Sequence, residues 1–191
     1  MKLLSIDIET TGLDPAFCST LEVGAVLFDP DPNLDEPSES RRWGTFERLI
    51  KHTRIQGEPY ALQMNQKILA ELAGVEKTHI PIVFGPQVGP QLREWLQERG
   101  VNPDNKVTIV GKNYDAFDRQ FLDRLPGWKD FINPVVERRT LDVGSLYFSP
   151  SDGRVQPLDK CLEVIGCRDL VTHRALDDAL AVATAVSRFF T

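Results

Sequence analysis

Short runs of apolar residues, separated by polar stretches that contain glycine or proline, indicate where the strands of this chain lie. Residues 3–9, 20–28 and 43–50 are rich in aliphatic and β-branched side chains and predict three consecutive strands in an antiparallel meander. Residues 106–110 and 139–143 predict a fourth and a fifth strand. The strands therefore occupy mainly the first half of the chain.

Helical patterns, in which apolar residues recur every three or four positions, follow the first strands. The predicted helices are residues 63–73, 87–99, 115–125, 158–165 and 174–190. Gly100, Gly166 and the pair Pro126-Gly127 follow three of these segments and are typical of helix ends. Strands followed by helices around a shared sheet predict an α/β or α+β domain.

A single domain covering residues 1–191 is the simplest interpretation of this length, since no linker or repeat divides the chain. The acidic, proline-rich stretch 29–42 predicts a mobile surface loop within that domain. A net charge of −6 argues against a protein held on long duplex DNA by a basic face. A short nucleic acid bound through metal ions is compatible with this charge.

The cysteines and the apolar first residues indicate the cellular compartment in which we expect the protein to act. Three cysteines without a CxxC pair predict reduced thiols, with neither a disulfide framework nor a zinc site. Asp7 and Glu9 interrupt the first apolar run too early for a signal peptide, and no stretch approaches the length of a membrane span. We therefore expect a cytoplasmic enzyme that has no membrane partner.

Two carboxylates at the end of the first strand carry the most specific chemistry of the sequence. Side chains alternate between faces along a strand, so Asp7 and Glu9 project from the same side. Like charges with little water around them repel each other, and a hard divalent cation between them removes that repulsion. The alternative is that the strand simply ends here and that water solvates both acids. The pair favours half of a metal site.

Two later segments place further polar residues at similar junctions. Asp118 lies in the first turn of a helix after the fourth strand, where an aspartate often interacts with the helix dipole. Asn113, in the preceding turn, is an ordinary turn residue when taken alone. His173 precedes the last helix, where a capping role is common, and Asp178 lies near its apolar border, an expensive position for an unpaired carboxylate.

Taken in order, these segments resemble the motifs of the DEDDh 3′→5′ exonucleases, the DnaQ-like branch of the ribonuclease-H-like fold. The matching motifs are Asp7-Ile8-Glu9-Thr10-Thr11-Gly12-Leu13, Asn113 with Phe117-Asp118, and His173-Arg174-Ala175-Leu176-Asp177-Asp178. The middle motif departs from the common form, since Lys112 stands where histidine is usual and Asn113 lies one residue farther from Asp118. The resemblance covers residues 3–190 and implies an α/β fold. Its mixed five-stranded sheet, three antiparallel strands and then two parallel ones, would be flanked by helices.

The resemblance also implies a hydrolase that cleaves phosphodiester bonds at the 3′ ends of single-stranded DNA, RNA or short oligonucleotides. Two Mg²⁺ or Mn²⁺ ions would act there, with Asp7 bridging them and His173 as the general base for the attacking water. The metal ligands would be Asp7, Glu9, Asp118 and Asp178. The contacts to the terminal nucleotide would come from Thr10, Thr11, Gly12, Leu13 and Asn113. The products would be nucleoside 5′-monophosphates.

Two other classes of function match part of the pattern. A haloacid-dehalogenase-like phosphatase would use Asp7 as a covalent nucleophile. The second acid of that motif is normally Asp, whereas this chain has Glu9, and His173 would have no role in such an enzyme. A catalytically silent nucleic-acid-binding or interaction module of the same fold would typically have lost an acid, and none is lost here. Proofreading, RNA 3′-end trimming and oligonucleotide degradation stay open, as does a polymerase or homodimer partner. The resemblance also implies that residues 60–65 and the loop 29–42 lie where members of the family vary their substrate contacts, and neither indicates a base or sugar preference.

Overall fold

One mixed sheet of six strands organises the computed structural model of this chain, which describes residues 2–30, 44–167, 170 and 172–190. The strands are β1 (Leu3–Thr10), β2 (Thr20–Phe28), β3 (Gly44–Lys51), β4 (Ile82–Phe84), β5 (Thr108–Gly111) and β6 (Leu141–Asp142). Their order across the sheet is β4-β3-β2-β1-β5-β6. The strands β1, β2 and β3 pair antiparallel, whereas β5 and β6 continue the sheet parallel to β1. The predicted fold class is therefore confirmed.

The expected number of five strands is wrong, because β4 adds a sixth strand parallel to β3 at the edge of the sheet. Its three residues, Ile82–Phe84, are too few to show an alternating pattern in the sequence. Pairing with β3, in the register Lys51↔Phe84, gives this short segment its extended form.

Eight α-helices lie within the described residues. They are α1 (Pro59–Met64), α2 (Gln66–Leu72), α3 (Gly85–Glu98), α4 (Asp118–Leu122), α5 (Trp128–Ile132), α6 (Val143–Leu146), α7 (Leu158–Val164) and α8 (Ala175–Phe189). The predicted helix 63–73 is in fact two helices that meet at Asn65, and the helix predicted over 115–125 begins only at Asp118. Positions 31–42 of the predicted loop lie outside the described residues. No helix in the described part of the chain is long and apolar enough to cross a membrane.

The two faces of the sheet bury different sets of helices. Leu4, Ile6 and Ile8 of β1 point into a core shared with α3, α4 and α5. Leu3, on the other face, belongs to a core shared with α6, α7 and α8. Because side chains alternate along β1, Asp7 and Glu9 project toward the face that α8 covers.

Gly24 of β2 lets the start of α8 approach the sheet closely. It pairs in register with Asp7, and a Cβ placed on it would lie 2.2 Å from the backbone of Ala175 and Leu176. Real Cβ contacts are never that short, so only glycine allows the first turn of α8 to lie against the backbone of β2. This contact places Asp178, one turn further along α8, beside the end of β1.

Candidate active site

Four carboxylates from three separate segments meet at the carboxyl end of β1. Asp7 and Glu9 come from β1, Asp118 is the first residue of α4, and Asp178 lies in the first turn of α8. Glu9, Asp118 and Asp178 are buried, whereas Asp7 is partly exposed. Burial, followed by the negative charges of Asp118, Asp178 and Glu9, raises the pKa of Asp7 well above its ordinary value. The structure thus brings together all four acids that the sequence singles out.

The other three carboxylates are perturbed in the same direction. Burial raises the pKa of Glu9 to about 7, and the nearby charge of Asp178 adds to this rise. Burial likewise raises the pKa of Asp118 to about 7, with a further contribution from the charge of Glu9. The pKa of Asp178 is also raised, mainly by burial. Acids held this close without a compensating cation resist ionisation.

Backbone and amide donors fix the orientation of three of these acids. The Asp118 carboxylate accepts hydrogen bonds from its own backbone N–H and from that of Ile8. Asp178 Oδ1 accepts the backbone N–H of Thr172 at 3.0 Å. Asn65, which is buried, donates from Nδ2 to the carbonyl of Thr10 at 2.9 Å, and its side chain also hydrogen-bonds to Glu9.

Asn65 is a site residue that sequence reasoning missed. The resemblance places it in the segment 60–65, where substrate contacts vary within the family, but nothing in the sequence predicts its contact with Glu9. Asn65 lies at the junction of α1 and α2, which points its amide at the end of β1.

His173 lies with the carboxylates and not with the core. Its side chain is exposed, and its backbone has a φ of 57°, in the left-handed region that costs energy for residues other than glycine. A ring nitrogen of His173 and carboxylate oxygens of Glu9 and Asp178 all lie within 4.8 Å of one another. This spacing of two carboxylates and an imidazole fits a divalent cation with His173 at its side.

Arg174, the residue after His173, is anchored in the protein by two ion pairs. Its Nε lies 3.1 Å from Glu22 Oε2, and its Nη1 lies 3.1 Å from Glu71 Oε2. Both glutamates are buried. Burial, together with a hydrogen bond to the Glu47 side chain, raises the pKa of Glu22 to about 9, although the charge of Arg174 opposes this. Sequence reasoning quoted Arg174 only as part of a motif and did not identify this anchoring role.

The turn after β1 uses both of its threonine hydroxyls internally. Thr10 Oγ1 donates to the carbonyl of Gly12 at 2.8 Å, while Thr11 Oγ1 accepts the backbone N–H of Ser19 at 2.8 Å. Leu13 is 73% exposed, and its N–H donates to Glu58 Oε1 at 3.2 Å. The groups of this turn that a substrate can reach are therefore backbone atoms and the Leu13 side chain, and their predicted substrate contact stays a prediction.

Asn113 is turned toward another acid. Its backbone N–H donates to Asp142 Oδ2 at 2.7 Å, and Lys112 Nζ lies 3.6 Å from the same oxygen. With a φ of 62°, Asn113 joins His173 as the only described residues other than glycine that have a positive φ. Its role toward a substrate stays a prediction.

Comparison with known proteins finds a family model that covers nearly the whole chain. The RNase T exonuclease family model matches residues 4–186. The chain is 28% identical over 185 residues to the DNA polymerase III PolC-type of Thermotoga maritima. That match covers 96% of this chain but only 11% of the polymerase, so the chain corresponds to a small part of that relative.

Two solved nuclease structures resemble the fold. The nuclease domain of 3′hExo, a DEDDh family member, bound to rAMP matches with a TM-score of 0.69 at 18% identity, over 98% of this chain and 90% of that one. E. coli Exonuclease I in complex with a dT13 oligonucleotide matches with a TM-score of 0.64 at 15% identity, over 98% of this chain and 40% of that one. At these identities the likeness concerns the fold, and it agrees with the ribonuclease-H-like fold predicted from the motifs.

Proposed function

Because this chain belongs to the RNase T exonuclease family, we propose that it hydrolyses phosphodiester bonds at the 3′ ends of single-stranded DNA or RNA and releases nucleoside 5′-monophosphates. The observation that carries the proposal is the meeting of Asp7, Glu9, Asp118 and Asp178 beside His173 at the carboxyl end of β1. Acids with raised pKa values in one cleft are typical of a functional site.

The four carboxylates would hold two divalent cations, Mg²⁺ or Mn²⁺. Their donor set consists of oxygens, which hard cations prefer, and burial raises the pKa values of all four acids, with a contribution from neighbouring carboxylates. When bound, the cations would neutralise charge on the reacting phosphate and favour ionisation of the attacking water. Asp7, which lies near Glu9 on β1 and near the acids of the two helices, would be one of the residues that hold these cations.

His173 would accept the proton of the attacking water. Its ring is exposed to solvent and lies within 4.8 Å of the Glu9 and Asp178 oxygens, so water beside these acids is within its reach. The left-handed backbone of His173 and the anchored Arg174 next to it hold the ring at this position. The exposed Leu13 would pack against the terminal base, while the backbone of the turn at Gly12 would approach the sugar.

The nucleic-acid class of the substrate rests on the relatives. One structure of this fold binds rAMP and another binds a dT13 oligonucleotide, while the matched relative in Thermotoga maritima is a DNA polymerase. These partners support both DNA and RNA 3′ ends as substrates.

A digestion panel tests the proposal. Single-stranded DNA, duplex DNA, RNA and a dinucleotide would each be incubated with Mg²⁺, Mn²⁺ or EDTA, with label at the 5′ end or the 3′ end. We expect a ladder of shortening 5′-labelled strands, release of labelled mononucleotide from the 3′ end, and no reaction in EDTA. Hydrolysis of a chromogenic phosphomonoester without strand shortening would instead support a phosphatase. Binding of strands without any hydrolysis would support a silent module.

A further inference from the structure

A cleft of about 420 Å³ opens at the same edge of the sheet as the four carboxylates. The register of the strands places it there, since Thr10 pairs with Thr20, and Lys51 pairs with Phe84. Thr20, Lys51 and Phe84 all line the cleft. The ends of β1, β3 and β4 and the beginning of β2 therefore share one edge, with Glu9 and the cleft both on it.

Two structural elements connect the cleft directly to the candidate active site. The helix α4 begins with Asp118, and Phe121 lines the cleft one turn later. Cys18 also lines the cleft and packs against the turn after β1, because a Cβ on Gly12 would lie 2.6 Å from Cys18 Sγ. The cleft lies toward the face of the sheet that α3 and α4 cover, whereas Asp7 and Glu9 project toward α8, so the two sites share one edge of the sheet and lie on either side of α4 and this turn.

The charge of the cleft is opposite to that of the whole chain. Lys51, His52 and Arg124 line it, and no Asp or Glu among the described residues does so, although the net charge of the chain is −6. The side chains of Lys51 and Arg124 are exposed, and neither forms an ion pair with a carboxylate of the described residues. Two cations without a carboxylate partner among the described residues of an acidic protein complement an anionic ligand.

Aromatic surface lies beside these cations. The Phe84 ring is 53% exposed, and Lys51 Nζ lies 6.0 Å from its centroid. Grooves that bind single-stranded nucleic acid combine cations along the phosphates with aromatic rings on which bases stack. The volume lies within the range of roughly 300–1,000 Å³ that is typical of small-ligand sites, which is enough room for one nucleotide.

We propose that this Lys51–Arg124 cleft binds the single-stranded substrate at a nucleotide further 5′ than the one next to the scissile bond. Lys51 and Arg124 contact its phosphates, and the Phe84 ring stacks on its base. The inference rests on the proposed exonuclease function, because a strand cleaved at its 3′ end extends away from the carboxylates only in the 5′ direction. The cleft then retains the strand after each nucleotide is removed.

Two double variants with equal changes in charge test the proposal. Lys51→Glu with Arg124→Glu alters the cleft, whereas Lys106→Glu with Arg138→Glu alters exposed residues that precede β5 and β6, at the opposite edge of the sheet. The KM for a single-stranded decamer and for a dinucleotide would be measured with Mn²⁺ over a series of salt concentrations. The dinucleotide has a single nucleotide 5′ of its scissile bond, so under this proposal it occupies the carboxylate site without extending into the cleft.

We expect the cleft variant to raise the KM for the decamer by about tenfold or more, as the loss of two phosphate contacts predicts. A plot of the logarithm of the decamer KM against the logarithm of the salt concentration should become less steep, by about 0.7 for each lost phosphate contact. The dinucleotide KM should change by less than about twofold, as should both values of the control variant. Phe84→Ala should also raise only the decamer KM, without changing the charge.

Three outcomes would overturn the proposal: equal losses on both substrates, equal losses in both double variants, or no loss at all. Thermal melting checks that the variants fold, and Lys51→Gln with Arg124→Gln replaces the cleft variant if it does not. If the wild-type protein hydrolyses no substrate, the proposed function fails. Fluorescence anisotropy of a labelled decamer in EDTA then still decides about the cleft, since weaker binding only in the cleft variant supports it and equal binding overturns it.

Discussion

The Arg174 guanidinium lies 3.1 Å from Oε2 of Glu22, a glutamate with no exposed surface in the sheet. Glu22 pairs in register with Glu9, one of the four clustered acids. Arg174, which follows His173, therefore pairs with Glu22, and Glu22 lies opposite the candidate metal ligand Glu9 on the neighbouring strand. This ion pair ties the segment before α8 to the end of β1, so that His173 and the carboxylates keep a fixed relation.

Arg174→Met should lower the free energy of unfolding by about 3 kcal/mol, because it leaves Glu71 buried without its cation and removes the hydrogen bond that Arg174 donates to the buried Glu22 side chain. Its kcat should fall as well, and Arg174→Lys should restore part of both losses. Chemical denaturation and single-turnover kinetics would measure the two effects. As a stability control, Arg119→Met breaks an exposed pair with Asp115 and should cost at most about 1 kcal/mol. Equal losses of unfolding free energy in the two methionine variants would contradict a stabilising role for the buried contacts of Arg174.

Asp7→Asn should abolish strand hydrolysis while making the protein more stable in EDTA. Burial and three neighbouring carboxylates oppose the charge of Asp7, and the neutral amide relieves that repulsion. Each kcal/mol relieved should raise the Tm by about 2–4 °C for a domain of this size. Asp152→Asn, at an exposed position, makes the same chemical change and should leave activity and Tm unaltered. A lower Tm for Asp7→Asn in EDTA would contradict the repulsion argument.

The stability of the metal-free protein should fall as the pH rises from about 4 to about 7, starting from the ordinary carboxyl pKa values. The folded-state pKa values of Glu9 and Asp118 are about 7, so the folded state binds more protons than the unfolded chain in this window. The unfolding free energy therefore decreases with pH. Glu22, with a pKa of about 9, extends the same trend to higher pH.

Urea denaturation in EDTA at several pH values would measure this dependence. Saturating Mn²⁺ should restore stability most strongly at the alkaline end, because cations bind the ionised carboxylates. Stability that increases across the window in EDTA would show that these acids are not held together as described.

His173→Ala should lower kcat by roughly 10²–10⁴-fold, the usual contribution of a positioned general base. Mn²⁺ binding should be largely retained, since four carboxylates remain. His79→Ala removes an exposed imidazole elsewhere and should leave kcat unchanged. Calorimetry with Mn²⁺ and single-turnover rates on an oligonucleotide would separate the two effects. A kcat near the wild-type value at saturating Mn²⁺ would remove His173 from the mechanism.

The strands and motifs with strong local patterns were predictable from the sequence. The strand β2 begins and ends where its composition predicts, at Thr20 and Phe28, because an uninterrupted apolar run favours a buried strand. Asp7 and Glu9 share a face because alternation in a strand is a local property of the backbone. The acids, the histidine and their order along the chain were all available from the sequence.

The sequence by itself determined which residue types lie at the ends of which elements, because strand alternation and helical spacing act over a few residues. Only the tertiary structure decided which of these residues meet. Arg174 pairs with Glu22 across 152 residues and with Glu71 across 103, and no local pattern carries such distances. The close packing of α8 on Gly24 likewise depends on two elements far apart in the chain. The raised pKa values follow from that packing, since burial and mutual repulsion exist only once the folded chain has brought the acids together.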